Sequence, residues 1–180
     1  MRYRLIGLVG LAVTAALAGR PALGADQNAP PAPATVQPGQ VGTIAVLGVS
    51  GVERVVTPQE ISTLPTVQVT VAVEPGHGPA QRTYEGPLLW TLLNHAGAVE
   101  ANKFREQVRQ AVIATGSDGY SVVLALGEIS PGFEDKQVIV AERMDGQPLA
   151  AGHFRLVVPG EKRGGRSAHD LVRISVVAPR

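Results

Sequence analysis

Alternating apolar and polar residues mark the clearest strand of the chain. In TVQVTVAVE (66–74) the valines occupy every second position and therefore share one face, which is the period of a half-buried β-strand. Other apolar or β-branched runs predict further strands, and Gly- and Asp-containing turns separate some of them. These strands are expected within 42–49, on either side of 116–119 within 111–126, within 137–149 around a turn at 145–146, and at both ends of 155–176.

A short helix is predicted by TPQEISTL (57–64). Thr57 suits the N-cap, Pro58 suits the first helical position, and Glu60 completes a capping box. Pro65 then ends the helix, because the residue before a proline is biased away from the helical region.

A second helix is predicted by PLLWTLLNHAG (87–97). The leucines at 88, 89, 92 and 93 recur at helical spacing, and Gly97 suits the C-terminal end. We expect these leucines to be core residues. Several short strands with two or three short helices predict an α+β domain that is mostly β-sheet.

The first 40 residues lack this pattern. Arg2 and Arg4 precede an uncharged apolar run (5–18) and a small-residue site ending at Gly24, an order typical of a cleaved secretory signal peptide (1–24). The apolar run is shorter than the roughly 20 residues of a spanning helix, so we expect no membrane anchor after cleavage. Residues 25–40, rich in Pro, Ala and Gln, predict a disordered linker. The sequence thus predicts a periplasmic or secreted protein with one domain, 41–180.

The charge distribution disfavours a nucleic-acid partner. The chain has 16 basic and 15 acidic residues, and three of the arginines lie in the predicted signal peptide. Neutralising phosphates needs many aligned cations, and aromatic residues, at 4%, are too few for base-stacking platforms. Basic residues concentrate only from Arg155 onward, in an otherwise acidic domain.

Several kinds of catalytic site are disfavoured by residue type and spacing. The chain contains no cysteine, so it has no disulfide, no thiol nucleophile and no thiolate metal ligand. Its four histidines are scattered, without the spacing of a zinc site. No G-x-S-x-G elbow is present. We therefore predict no metal site built from side chains, and a hydrolase is disfavoured.

Two loops carry candidate binding residues. In PGEKRGGRSAHD (159–170) two adjacent glycines allow backbone amides to approach an anion, and Lys162, Arg163 and Arg166 supply positive charge. The alternative is a solvated loop between strands. In TGSDGY (115–120), Asp118 and Tyr120 either belong to a tight turn or border a pocket. The residues alone leave both choices open.

The order of four motifs resembles the molybdopterin-binding domain of the sulfite oxidase family. The motifs are YEGPLLWTLLNHAG, ATGSDGYSVVLAL, VIVAERMDGQPL and FRLVVPGEKRGGRSAHDLVRISV, and they cover 84–177. The resemblance implies an α+β domain of mixed sheets with short helices, built around a pterin-dithiolene molybdenum cofactor. It also implies two-electron oxygen-atom transfer.

The resemblance also implies a set of cofactor-binding residues. Gly165, Arg166 and Ser167 match a family segment near the pterin and its phosphate, and His169 stands where the family has a lysine. We expect Arg166 and Ser167 to face a pocket shared with two residues of the TGSDGY loop, and Lys162 and Arg163 to be more exposed. The predicted cofactor-binding residues are Asp118, Tyr120, Gly165, Arg166, Ser167 and His169.

The chain departs from the family at the molybdenum ligand. Family enzymes hold the metal by one cysteine, and the aligned segment VAVE places Ala72 at that position. We therefore expect the domain to bind a pterin, with molybdopterin itself as one candidate, or a small anionic ligand, without a cysteine-ligated molybdenum centre. Two alternatives are an active molybdopterin-dependent oxidoreductase with an unusual metal site and a non-catalytic partner-binding module.

Overall fold

The structure is a computed structural model and describes residues 41–73, 76 and 80–179. The predicted signal peptide and linker lie outside the described residues. The largest sheet has five strands, and one of its pairings, between β1 and β11, is parallel while the others are antiparallel. Its strands, in spatial order, are β2 (Glu53–Val56), β1 (Ile44–Leu47), β11 (Leu171–Val177), β5 (Ala111–Gly116) and β6 (Ser121–Ala125).

Two smaller sheets complete the strand content of the described residues. One contains β3 (Thr66–Ala72), β4 (Gln81–Pro87), β8 (Arg143–Met144) and β9 (Gln147–Pro148), in that order. The other pairs β10 (Arg155–Val157) with β7 (Ile139–Ala141). In the described part of the chain, four short α-helices connect the strands: α1 (Pro58–Thr63), α2 (Leu89–His95), α3 (Phe104–Gln107) and α4 (Leu126–Ile129). The prediction of a mostly β, α+β domain with mixed sheets is confirmed.

The start of α1 is fixed by the predicted capping box. The Thr57 hydroxyl accepts a hydrogen bond from the Glu60 backbone N–H at 3.3 Å. The Glu60 carboxylate accepts one from the Thr57 backbone N–H at 2.8 Å. These bonds satisfy amide groups that the first turn of a helix leaves without partners.

Helix α2 begins later than the sequence pattern suggests. Pro87 is the last residue of β4, and Leu88 is extended, with φ −59° and ψ 139°, in a bridge to Ile139. Leu89, Leu92 and Leu93 are fully buried, as predicted. Leu88 is only partly buried, so the prediction that it belongs to the same helical core face is wrong. Its backbone pairs with a strand 51 residues away, which local spacing cannot show.

The core consists of two clusters. The larger one lies on the inner face of the five-stranded sheet and includes α2. The smaller one contains Val69 and Tyr84, from β3 and β4, together with Ile139, Ala141 and Val157. In β3 the valines are the less exposed residues and the polar residues between them are exposed, which confirms the predicted alternation. No helix in the described part of the chain is long and apolar enough to cross a membrane.

Candidate functional site

A cavity of about 550 Å³ opens beside the end of β3. This volume lies in the range of roughly 300–1,000 Å³ that small-molecule sites occupy. Its walls come from three places: the end of β3 and the residue after it, the strands β4, β8 and β10, and the loop 160–167, which we call the cradle loop. The lining residues are Val71, Ala72, Val73, Arg82, Tyr84, Met144, Arg155, Gly164, Gly165 and Ser167.

Arg155 is the first residue of β10, and its guanidinium lies over an aromatic ring. The Cζ atom lies 5.4 Å from the centroid of the Tyr84 ring, which is cation–π distance. Tyr84 is itself 5% exposed and is held in the smaller core cluster. The Nε atom of Arg155 is buried and has no hydrogen-bond partner among the described residues. The cavity is therefore bordered by an arginine that a packed ring orients.

Arg82 is the second cation of the lining, and a carboxylate already binds it. Its Nη1 atom donates to Asp145 at 2.7 Å. The other oxygen of Asp145 accepts from the Thr83 backbone N–H at 2.9 Å. The hydrogen bond from the Thr83 N–H is the main cause that lowers the pKa of Asp145, and the hydrogen bond from Arg82 is the next. The ionised form of this carboxylate is therefore favoured, and it offsets the charge of Arg82. Arg155 is thus the more available cation.

At Gly164 and Gly165 the cradle loop contributes backbone atoms, and no side chains, to the wall of the cavity. Gly164–Arg166 form a single 3-10 turn, closed by a bond from the Ser167 N–H to the Gly164 carbonyl at 3.0 Å. A Cβ atom placed on Gly164 or Gly165 would meet no heavy atom within 4 Å. The space beside these glycines is open, as a backbone cradle for an anion requires.

Arg166 does not line the cavity, so the prediction that it faces the pocket is wrong. Its Nη1 atom donates to the two Glu128 oxygens at 3.1 and 3.4 Å, and its Nη2 atom donates to Glu161. Two carboxylates, one on α4 and one in the cradle loop, draw the guanidinium away from the pocket. Lys162 and Arg163 are exposed, as predicted.

Asp118 and Tyr120 also lie outside the lining. The prediction that they share this pocket is therefore wrong. Asp118 accepts a hydrogen bond from the Tyr120 N–H at 2.9 Å, and Gly119, with φ +84°, completes a tight turn. Asp118 is used locally, which is why it does not reach the cavity. Tyr120 nevertheless contacts the cradle loop, because its hydroxyl donates to the Gly165 carbonyl at 2.6 Å.

His169 is exposed and is not among the cavity-lining residues. Desolvation, followed by the positive charge of Arg155, lowers the pKa of its imidazole. Of the six predicted binding residues, the structure places only Gly165 and Ser167 at the cavity. Whether any of the six binds a cofactor stays a prediction.

Sequence reasoning missed Arg82, Tyr84 and Arg155. A signal for Arg155 was present, since it is the one charged residue in the apolar stretch FRLVV (154–158). The signal for Tyr84 was weaker, because one aromatic residue in a strand is typical of a core. The stacking of the two side chains depends on β4 and β10, which lie far apart along the chain.

The cavity suits an anion better than it suits a thiolate-ligated metal. Ala72, which the motif order predicts at the family's cysteine position, lies in the lining, and its methyl group cannot ligate a metal. The sequence contains no cysteine. Among residues 41–73, 76 and 80–179, no group of three or more His, Cys, Asp or Glu side chains could hold a metal ion. The arginines, the serine hydroxyl and the backbone N–H groups of the glycines are hydrogen-bond donors of the kind that binds anions.

Comparisons with known proteins agree with the motif order. The family model described as "Oxidoreductase molybdopterin binding domain" matches residues 43–180. Among solved structures, the sulfane dehydrogenase SoxCD from Paracoccus pantotrophus is similar, with a TM-score of 0.57 and 18% identity. The match covers 75% of this chain and 38% of that chain, so this chain spans well under half the length of its structural relative. No curated protein matches the sequence significantly.

Proposed function

Since this chain belongs to the oxidoreductase molybdopterin-binding domain family, we propose that its cavity binds a pterin or another small anion. We further propose that it does so without a cysteine-ligated molybdenum centre. The observation that carries the proposal is the Arg155 guanidinium, held 5.4 Å from the Tyr84 ring beside a cavity of about 550 Å³.

Each part of the lining has a task in such binding. The planar guanidinium of Arg155 matches a carboxylate or phosphate through two parallel hydrogen bonds. Val71, Val73 and Met144 provide apolar surface for the body of a ligand. Ser167 offers a hydroxyl, and the glycine backbone beside it allows close approach. Arg82, already paired with Asp145, adds a weaker positive field.

The proposal is tested by titrating the protein with pterin-6-carboxylate, followed by pterin fluorescence, and with inorganic phosphate. Arg155→Gln is expected to weaken pterin binding by roughly 10- to 100-fold, because hydrogen bonds to charged groups contribute about 1.5–3 kcal/mol. The matched control is Arg163→Gln, which removes the same charge from an exposed position outside the lining. Its affinity should change by less than about twofold, since exposed charges are screened. Equal affinities of Arg155→Gln and the wild type would contradict the proposal.

We also propose that the protein acts outside the cytoplasm, in the periplasm or after secretion. The support is the order of basic residues, apolar run and small-residue site within 1–24. N-terminal sequencing of the exported protein should begin at or within a few residues of Ala25. Recovery of the exported form with Met1 intact would refute cleavage.

A further inference from the structure

We propose that Arg166 and Tyr120 are positioning residues, which clamp the cradle loop so that its glycines and Ser167 form the wall of the cavity. Neither side chain lines the cavity. The inference deepens the proposed function, on which its binding readout rests, but the contacts that motivate it do not depend on any ligand.

The clamp has two anchors on different elements. The first joins the loop to α4, because Arg166 donates to Glu128 at 3.1 Å and also binds Glu161 within the loop. The second joins the loop to the turn between β5 and β6, through the hydroxyl of Tyr120 and the carbonyl of Gly165, 2.6 Å apart. The anchored residues, 165 and 166, are adjacent in sequence and stand between Gly164 and Ser167, which line the cavity.

The positive charge of Arg166 is offset by the carboxylates that contact it. Glu128 and Glu161 both contact it, and Lys136 lies 3.9 Å from Glu128 and 4.0 Å from Glu161. These four side chains have no net charge when all are ionised, and each is 21–32% exposed. The more exposed Glu134, 3.8 Å from Lys136, adds one negative charge. A cluster without net positive charge adds little attraction for an anion in the neighbouring cavity, so the contribution of Arg166 is geometric.

The loop needs such a clamp because of its composition. Gly160, Gly164 and Gly165 have no side chains with which to pack, and glycine loses more conformational freedom on ordering than any other residue. Without the anchors, a ligand would have to order the loop itself, and that cost would reduce its affinity. With the anchors, the wall is formed in advance.

The decisive variant is Glu128→Gln. It removes a negative charge near the cavity, so a purely electrostatic effect would leave anion affinity unchanged or raise it. The clamp predicts the opposite: affinity for pterin-6-carboxylate falls about 3- to 10-fold, because one anchored segment must be ordered on binding. A glutamine can still accept the hydrogen bond that Glu128 receives from the Ala125 N–H at 3.2 Å, so α4 should be preserved.

The matched control is Glu134→Gln. Glu134 also lies near Lys136, at 3.8 Å, but it makes no ion pair with Arg166 among the described residues. The control removes the same charge and should bind the pterin as the wild type does. Tyr120→Phe, which deletes only the hydroxyl anchor, should weaken binding in the same direction as Glu128→Gln.

Amide hydrogen exchange provides a readout that needs no ligand. In Glu128→Gln and Tyr120→Phe, the amides of 163–167 should exchange at least about threefold faster, while those of β5 and β11 are unchanged. Unchanged exchange in the loop, or pterin affinity equal to or above that of the wild type, would overturn the clamp. If the wild type binds neither pterin nor phosphate, the proposed function fails, and the exchange rates alone decide whether the clamp exists.

Discussion

Three arginines lie around the cavity, and their neighbours decide which of them can meet a ligand. Arg166 is bound by two carboxylates and Arg82 by one. Arg155 instead stacks on the ring of Tyr84. An ion pair occupies guanidinium donors and offsets the positive charge, whereas an aromatic face leaves the charge without a counter-ion and the edge donors available. The cation most suited to anion binding is therefore the one with an aromatic neighbour.

Gly165→Ala tests the cavity at the level of one atom. The glycine does not have a positive φ, and an added Cβ would meet nothing within 4 Å. Stability should therefore be unchanged or rise by about 0.4–1 kcal/mol, because alanine restricts the unfolded chain. Affinity for pterin-6-carboxylate should nevertheless fall, since the added methyl group would reduce the space in the cavity beside residue 165. Chemical denaturation and fluorescence titration measure the two effects, and an unchanged affinity would argue against contact between ligand and Gly165.

At the scale of secondary-structure elements, the carboxylate of Glu60 connects a strand and two helices. Glu60 caps α1 through the Thr57 N–H, accepts from Arg54 of β2 at 2.8 Å, and lies 3.7 Å from the imidazole of His95 at the end of α2. The Thr57 N–H, and then Arg54, lower the pKa of Glu60 from its ordinary value of 4.5 to about 2. The charged form is therefore favoured in the folded protein.

This depressed pKa predicts a pH-dependent stability. The stabilisation by ionised Glu60 is fully present above the ordinary pKa of 4.5 and is lost as pH falls towards the folded value of about 2. Glu60→Gln keeps an acceptor for the capping box but removes the charge, so its Tm should be lower than that of the wild type at neutral pH. The difference should shrink between pH 4.5 and 2. Thermal unfolding across this range checks it, and a constant difference would mean that the charge contributes nothing.

Among these elements, the features that depend on neighbouring residues could be predicted from the sequence. The capping box at Thr57, the alternation in β3 and the turn at Asp145 depend on residues a few positions apart, and all three were predicted correctly. Leu88 and Arg166 were misplaced, because their partners, Ile139 and Glu128, lie 51 and 38 residues away. A pattern of charges shows that a loop is basic. It does not show which carboxylate folding brings beside each arginine.

At the scale of the whole molecule, the cavity depends on strands from both halves of the domain. The first strand, β1, pairs in parallel with the last, β11. Residues 71–73 and the pair formed by Arg155 and the cradle loop line the same cavity, although they come from opposite ends of the domain's sequence. The family match over 43–180 extends across this whole arrangement. A ligand in the cavity would therefore contact both halves, and its binding should raise the Tm of the entire domain, by linkage.

The metal content of the whole protein gives the last prediction. Purified from a host that makes molybdopterin, the wild type should contain molybdenum well below one atom per chain, because the chain has no cysteine thiolate to add to the ligands of the metal. Ala72→Cys places a thiol in the cavity lining at an exposed position and should increase the retained molybdenum. Val123→Cys, on β6 and 57% exposed, adds a thiol outside the lining and should not. Elemental analysis of the three proteins measures this. Equal molybdenum contents in the two cysteine variants would mean that Ala72 does not occupy the position of the family's cysteine ligand. Stoichiometric molybdenum in the wild type would instead support an active oxidoreductase with an unusual metal site.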